Sequence, residues 1–330
     1  MSVICITGGA GFIGTRLCSR LSQAGKAFKI LDIAASERFG EHSICVDICD
    51  LDGLRAAVPD NAVLVHLAAV HRDDVRPISR YDDVNVEGAR NICRIAREKN
   101  VTKIVFTSSV AVYGFAPAGT DESGDINYFN DYGRTKWLAE EVFRAWLAED
   151  PENRTLVTVR PTVVFGEQNR GNVYNLLRQI ALGRFVMIGN GKNCKSMAYV
   201  ENVAAFLEHA LDLDAGMHLY NYVDQPDFDM NHLVLTVRNS LGKSKKVGLR
   251  MPYIAGLAAG YVLDAVARIT GRTFPVSAIR VKKFCATTQF GTSVADTGFV
   301  PPVKLDEALA KTVSYEFLED HSKEAVFYTE

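Results

Sequence analysis

Val3-Ile4-Cys5-Ile6-Thr7 is a short apolar, β-rich run that stops at three glycines spaced by three, Gly8, Gly11 and Gly14, after which Leu17 and Leu21 recur at helical spacing. Glycine at that spacing lets the backbone turn tightly and lets another group approach where a Cβ would otherwise stand. A helix beginning there offers free N–H groups and the positive end of its dipole to an anion. Strand, glycine turn and helix in this order restrict the chain to a parallel α/β sheet and point to the pyrophosphate of a dinucleotide lying on the turn.

Further apolar runs at Phe28–Leu31, Ile44–Val46, Val63–Leu67, Ile104–Phe106 and Leu156–Val159 alternate with helical patterns such as Val84, Gly88, Ile92, Ile95 and Ala96. Alternation of this kind predicts an α/β fold built on a doubly wound parallel sheet. Beyond Gly166 the pattern is irregular, with Gly, Asn and Lys clustered from Gly183 to Lys195, before Tyr199–Leu211 reads as helix and Leu219–Val223 as strand. We expect residues 1–166 to form the dinucleotide-binding domain, with a return of the chain to it at about 196–224. Residues 167–195 and 225–330 are expected to form a smaller, discontinuous substrate domain. No internal repeat or low-complexity segment is present.

Lys+Arg 37 against Asp+Glu 39 leaves a net charge of −2, which supplies no field toward nucleic acid, and no nucleic-acid partner is expected. The seven cysteines (5, 18, 45, 49, 93, 194 and 285) are scattered and include no Cys-x-x-Cys pair, so reduced thiols and no metal site are expected. The opening residues read as strand and loop rather than as a basic and apolar leader, so a cytoplasmic location is expected. Met251–Leu263 is a charge-free apolar stretch of 13 residues, short of the ~18 that span a bilayer. It reads as a buried or interface helix, with transient membrane contact through residues 251–263 the less favoured alternative.

Asp32 closes the second strand 18 residues past Gly14, where a carboxylate accepts hydrogen bonds from adenosine ribose hydroxyls and repels a 2′-phosphate. This favours NAD, while the nearby Arg38, able to pair with that phosphate, leaves NADP open. Asp47, after the third strand, reads either as a contact for the adenine edge or as a solvated turn carboxylate. Tyr132-Gly133-Arg134-Thr135-Lys136 opens a helix whose apolar positions Trp137, Leu138, Val142, Phe143 and Trp146 mark its buried side. Tyr132 and Lys136, four apart, share a helical face. An ammonium and a cationic nicotinamide beside the phenol favour the phenolate, so that Tyr132 exchanges a hydroxyl proton while hydride moves. Thr107-Ser108-Ser109 follows the fifth strand and puts Ser109 at the carboxyl edge of the sheet, where its hydroxyl can hold the reacting oxygen.

Taken together, Gly8 through Gly14, Asp32, His66-Leu67-Ala68-Ala69, Asn85, Ser108-Ser109 through Tyr113-Gly114, the Tyr132/Lys136 pair and Arg160-Pro161-Thr162-Val163-Val164-Phe165-Gly166 resemble the extended short-chain dehydrogenase/reductase family, specifically its nucleotide-sugar epimerases and dehydratases. The likeness covers nearly the whole chain. It implies a Rossmann-type NAD-binding domain and a catalytic triad of Ser109, Tyr132 and Lys136, with Lys136 also holding the nicotinamide ribose. It further implies cofactor contacts at Gly8, Gly11, Phe12, Ile13, Gly14, Asp32, Asp47, Ile48, Leu67, Ala68, Ala69, Asn85, Ser108, Pro161 and Val163.

The family's 4,6-dehydratases carry an Asp-Glu pair after the serine, where this chain has Val110-Ala111, so elimination of water is not expected. Reversible hydride transfer at one carbon remains. UDP-hexose 4-epimerases resemble the first domain best, which makes a UDP-hexose or UDP-N-acetylhexosamine 4-epimerase the main expectation and a UDP-sugar the expected ligand. Gly183–Gly191, including Val186, looks like the segment that lies along uridine in those enzymes, or else is a surface hairpin. Where the family has Arg-Asp-Phe before the Val200 helix, this chain has Lys195-Ser196-Met197. Lys195 gives charge without a bidentate fork, and Arg280, Lys282 and Lys283 are candidate replacements. Charged residues in His71-Arg72-Asp73-Asp74-Val75-Arg76-Pro77 read either as contacts for an acetamido or 4-keto group or as a bridge to a neighbouring loop; the segment resembles charged loops of bacterial nucleotide-sugar 4-ketoreductases, which implies as the alternative an NAD(P)H-dependent 4-ketoreductase of a UDP-4-keto-6-deoxy-N-acetylhexosamine. His71, Arg72, Val110, Asn175, Val186, Lys195 and Arg280, with Ser109 and Tyr132, are the expected substrate contacts. A 3β-hydroxysteroid dehydrogenase, through Met251–Leu263, and a non-enzymatic NAD-binding protein are the lesser readings. A homodimer through the helices beginning near Asn85 and Tyr132 is implied by the resemblance.

Overall fold

A computed structural model of the chain describes residues 2–72, 75–243, 246–271, 277–321 and 324–329; Asp73 and Asp74 of the charged loop lie outside them. The first half alternates β1 (Ile4–Thr7), α1 (Phe12–Gln23), β2 (Phe28–Asp32), β3 (Ser43–Cys45), α2 (Leu51–Ala57), β4 (Val63–His66), a helix made of α3 (Ser79–Tyr81), a π-helical stretch (Asp82–Glu87) and α4 (Gly88–Glu98), then β5 (Lys103–Thr107), α5 (Asp131–Ala148), β6 (Thr155–Pro161) and β7 (Val163–Phe165). The rest holds α6 (Asn172–Ala181), β8 (Met187–Ile188), β9 (Cys194–Tyr199), α7 (Val200–His209), β10 (Gly216–Tyr222), β11 (Asp224–Asp229), α8 (Met230–Ser240), β12 (Arg250–Met251), α9 (Tyr253–Thr270), α10 (Ala278–Cys285) and α11 (Leu305–Phe317).

Seven strands form one sheet in the order β10-β6-β5-β4-β1-β2-β3, every neighbouring pair parallel. Its strands are apolar almost throughout because helices cover both faces. Leu54, Ile92, Phe106, Phe143 and Trp146 fill one side; Leu17, Leu21, Val157, Val203 and Phe206 fill the other. Strand order reverses between β1 and β4, and the crevice above this reversal is where α/β sheets bind ligands. A separate core of Leu177, Met187, Met197, Phe228, Leu233, Val237 and Leu309 joins α6, α8 and α11 to the three-stranded sheet β11-β9-β7.

Three expectations are corrected. On α5 the buried residues are Ala139, Glu140, Phe143, Trp146 and Leu147 together with Gly133, Thr135 and Lys136, while Trp137, Leu138 and Val142 are half-buried. The helix turns further inward than its apolar pattern suggests because a buried arginine draws Glu140 into the core. Residues 183–191 are not a hairpin: Met187–Ile188 pairs in parallel with Arg250–Met251. Met251–Leu263 enters a helix of which only Gly256 and Gly260 are buried, so the buried-helix reading fails.

Candidate active site

The glycine turn is crowded from within. Gly8 has φ +69°, and a Cβ there would stand 2.6 Å from the Ala68 backbone nitrogen; one at Gly14 would stand 2.6 Å from the Gly8 carbonyl oxygen. Half-buried Leu67, Ala68 and Ala69 therefore seat directly on the turn. Asp32 accepts from the Ala10 N–H at 3.0 Å and the Ala34 N–H at 3.2 Å, tying the tip of β2 to the glycine loop. Gly11 caps α1, and Phe12 is buried with its ring 5.8 Å from Phe327. With Ile13 also packed on the core, the first turn of α1 presents backbone N–H groups to an anion. A cradle without Cβ atoms above the sheet's reversal, with a carboxylate at the end of β2, fits a dinucleotide.

Around it the named contacts divide. Asp47 is exposed and accepts from the Cys49 N–H at 2.9 Å; Ile48 is buried and would meet a Cβ at Gly88 at 2.6 Å. Pro161 is buried at the end of β6, while Val163 is 41% exposed at the start of β7. Two residues also make internal hydrogen bonds. The Asn85 amide accepts from the Val70 N–H (2.8 Å) and donates to the Val70 carbonyl (2.9 Å) and Thr135 Oγ1 (2.9 Å), which uses both of its donors. It staples the loop after β4 to α5. Ser108 is buried and donates to Glu140 Oε1 at 2.6 Å, so its hydroxyl points into the core while that of Ser109, the next residue, does not.

Asn130 caps α5, its side chain accepting from the Gly133 N–H at 2.9 Å, and this sets Tyr132 in the first turn. A Cβ at Gly133 would lie 2.5 Å from the Ala111 carbonyl oxygen; glycine there lets α5 press against the 3-10 turn Val110–Tyr113. Ser109 caps that turn, its Oγ accepting from the Ala111 N–H at 3.1 Å, and its side chain also hydrogen-bonds Tyr132. Lys136 is buried, donates to the Thr107 carbonyl at 2.8 Å and stands 6.0 Å from the Tyr132 ring centre. The triad therefore converges at the carboxyl edge of β5, next to the glycine turn.

Its electrostatics differ from the expected picture. Burial pushes the Tyr132 phenol up to about 12, against a smaller downward pull from Ser109, and Lys136 is not among the causes. Burial brings the Lys136 ammonium down to about 7, with the Glu140 charge opposing it. His66 is driven down to about 3, first by burial and then by Lys136, and stays neutral while pairing with Thr7 Oγ1 at 2.7 Å.

Beneath the triad lies a network that the sequence reading missed. Arg160, 1% exposed, clamps Glu140 with Nε at 2.8 Å and Nη2 at 2.6 Å, and its Nη1 donates to Tyr113 Oη at 2.6 Å. Tyr113 in turn donates to Asn221 Oδ1 on β10 at 2.8 Å. A carboxylate one turn beyond Lys136 on the same face, together with an arginine inside an otherwise apolar strand, was the available signal.

On the substrate side the structure scatters the expected contacts. His71 and Arg72 are exposed on the loop after β4, and Val110 is half-buried beside Ser109. Val186 is half-buried just before β8. Asn175 lies on the exposed side of α6, away from the buried Val173, Leu177 and Ile180. Lys195 donates to the carbonyls of Lys283 (2.9 Å) and Ala286 (2.6 Å). Its ammonium ties β9 to the end of α10. Arg280, Lys282 and Lys283 sit exposed on α10.

The model of the NAD dependent epimerase/dehydratase family matches residues 4–222. The chain belongs to this family. It is an NAD-dependent enzyme of the extended short-chain dehydrogenase/reductase type. It is 46% identical over 329 residues, 99% of each chain, to the N-acetyl-alpha-D-glucosaminyl-diphospho-ditrans,octacis-undecaprenol 4-epimerase of Escherichia coli O157:H7. In fold it resembles the Thermotoga maritima UDP-glucose 4-epimerase solved with UDP-glucose (TM-score 0.74, 20% identity, 96% of this chain and 100% of that one). It also resembles the UDP-N-acetylglucosamine 4-epimerase of Methanobrevibacter ruminantium M1 (TM-score 0.74, 20% identity, 95% and 97%). The glycine cradle and Asp32 fit the NAD that this family uses, and Ser109, Tyr132 and Lys136 stand together at the carboxyl edge of β5.

Proposed function

We propose that this enzyme interconverts the C4 epimers of an N-acetylhexosamine carried through a diphosphate on a polyprenol lipid. The observation that carries the reading is the end-to-end 46% identity to an enzyme named for that reaction, in a chain that keeps Ser109, Tyr132 and Lys136 together. NAD, when bound, accepts hydride from C4 and gives it back, and its positive ring charge favours the phenolate. Ser109 holds the C4 oxygen by hydrogen bond. Tyr132 takes the hydroxyl proton as C4 becomes a ketone and returns it as the alcohol re-forms. Lys136, fixed by the Thr107 carbonyl, adds positive charge beside the phenol while it is protonated. Val110 and Ala111 provide no carboxylate to expel water, so the sugar leaves with its hydroxyls intact and no net redox change. A homodimer through α4 and α5, which the family resemblance implies, belongs to the same reading, and analytical ultracentrifugation tests it.

Incubating the enzyme with detergent-solubilised undecaprenyl-diphospho-N-acetylglucosamine, releasing the sugar by mild acid and separating it by chromatography decides the matter. A mixture of N-acetylglucosamine and N-acetylgalactosamine, formed without added NAD(P)H, is expected. Conversion of UDP-N-acetylglucosamine alone would instead assign the enzyme to nucleotide sugars, and a requirement for stoichiometric NAD(P)H would make it a ketoreductase.

A further inference from the structure

Helix α9 reverses the usual arrangement of a helix on a protein surface. Its inner side rests on the protein through glycine: a Cβ at Gly256 would meet Ile188 Cγ2 at 2.8 Å, and one at Gly260 would meet the Ala278 backbone nitrogen at 2.7 Å. Asp264, the one acid in the helix, also turns that way and accepts from the Ala278 N–H at 3.1 Å. The outer side carries Ile254 (81% exposed), Ala258, Tyr261 (53%), Val262 (62%), Ala265 and Ile269 (85%). These recur at three- and four-residue steps and so form one stripe along ~27 Å of helix. Soluble helices put that stripe toward the core; a contiguous exposed apolar patch marks an interaction surface.

The charge around the stripe identifies what covers it. Among the described residues between Tyr253 and Phe290, Arg268, Arg280, Lys282 and Lys283 stand against the single acid Asp264, in a chain whose net charge is −2. Lys282 stands with its ammonium 5.6 Å from the Tyr261 ring, at the border of the stripe, and Ile279 beside it is 54% exposed. Lys283 lies 5.1 Å from the ring of Phe129, which stacks at 4.8 Å on Phe115 and immediately precedes Asn130, the cap of the helix bearing Tyr132. The cationic border thus runs from the apolar stripe to the catalytic end of α5. A two-fold contact between copies through this face would bring like charges together, whereas anionic headgroups above an acyl layer match both features.

We propose that α9 lies flat in the interface of an anionic phospholipid bilayer, with the Ile254–Ile269 stripe among the acyl chains and Arg268, Lys282 and Lys283 among the headgroups. The inner side of the helix is covered by protein at Gly256, Gly260 and Asp264, so the helix runs along the membrane and does not cross it. Contact of this kind rests on the reading that the sugar is carried on a lipid, and it holds the catalytic mouth at the surface where such a diphosphate projects.

Flotation of the full chain with phosphatidylethanolamine/phosphatidylglycerol vesicles, and with phosphatidylcholine vesicles, tests this. The wild type is expected to float with the anionic vesicles, less so at high salt. The variant Ile254→Ser/Val262→Ser/Ile269→Ser is expected to partition at least tenfold less while keeping its thermal midpoint and its turnover of detergent-solubilised lipid-linked sugar. Wild-type protein remaining in the aqueous fraction, or equal flotation of the triple variant, overturns the proposal. So does an oligomer that the triple variant dissociates. Turnover in detergent without flotation leaves the catalytic reading standing and removes only the membrane contact; flotation without turnover does the reverse.

Discussion

Glu140 is the strongest lever on this molecule. It is fully buried and accepts from Arg160 twice, from Ser108 at 2.6 Å and from Arg144 at 3.0 Å. Glu140→Gln keeps the volume but removes the charge, leaving Arg160 almost wholly buried with no counter-ion. Breaking a buried pair on one side costs about 3–5 kcal/mol. With an unfolding entropy of ~2.1 cal/mol/K per residue, this lowers the melting temperature of a 330-residue chain by about 4–7 °C. Removing both charges, as Glu140→Leu with Arg160→Met, is expected to recover most of the loss, since the buried guanidinium then goes together with its counter-ion. Calorimetry of the two single variants and the double one measures this directly. The variant also frees Ser108, next to Ser109, and withdraws the charge that holds the Lys136 ammonium up, so the Lys136 ionisation in the pH–rate profile should move to lower pH. A Glu140→Gln variant within about 1 kcal/mol of wild type, well below the one-sided cost of such a pair, or a double variant no better than the singles, would refute the reasoning.

Tyr132→Phe should lose roughly 10²–10⁴ in turnover, the usual worth of a positioned acid–base group, with NAD content unchanged. Lys136→Met should remove one contribution to stability that rises with pH between about 7 and 10.5, the folded pKa being the lower one so that the unfolded state binds the extra proton there; the wild type should gain stability relative to the variant through that window. Urea titrations at several pH values read it out. Lys195→Met should lower thermal stability by no more than about 1 kcal/mol, since the Lys283 and Ala286 carbonyls are exposed and water replaces the ammonium, while changing KM for the sugar less than twofold. Gly14→Ala, whose Cβ would stand 2.6 Å from the Gly8 oxygen, should yield protein without bound NAD, measured by the absorbance of the denatured extract.

The glycine turn, Asp32 and the Tyr132/Lys136 pair could be read from the sequence because each is a local pattern whose partners lie within a helical turn or a strand end. Ser109 was legible as the residue at the sheet's edge, but the inward turn of Ser108 toward Glu140 was not. Adjacent residues leaving a strand face opposite ways, and only the position of Glu140, 32 residues on, decides which one is inside. The Arg160–Tyr113–Asn221 chain and the Lys195 ties to Lys283 and Ala286 join residues 47 to 108 apart, and no spacing rule announces them. Met251–Leu263 was visible as apolar, yet an apolar run reads the same whether protein or another medium lies against it.

The last strand of the main sheet has a consequence for biogenesis. β10 pairs with β6 over its whole length, but 54 residues lie between the end of β6 at Pro161 and the start of β10 at Gly216. At ~5–20 residues per second on the ribosome, the nascent chain carries β6 as an open apolar edge for about 3–11 s. During that interval Leu156, Val157 and Val159 are a template for any other extended chain nearby. Synthesis of this enzyme therefore calls for sheltering of the growing polypeptide between residues 161 and 222, and fragments ending inside that interval should be recovered as aggregates.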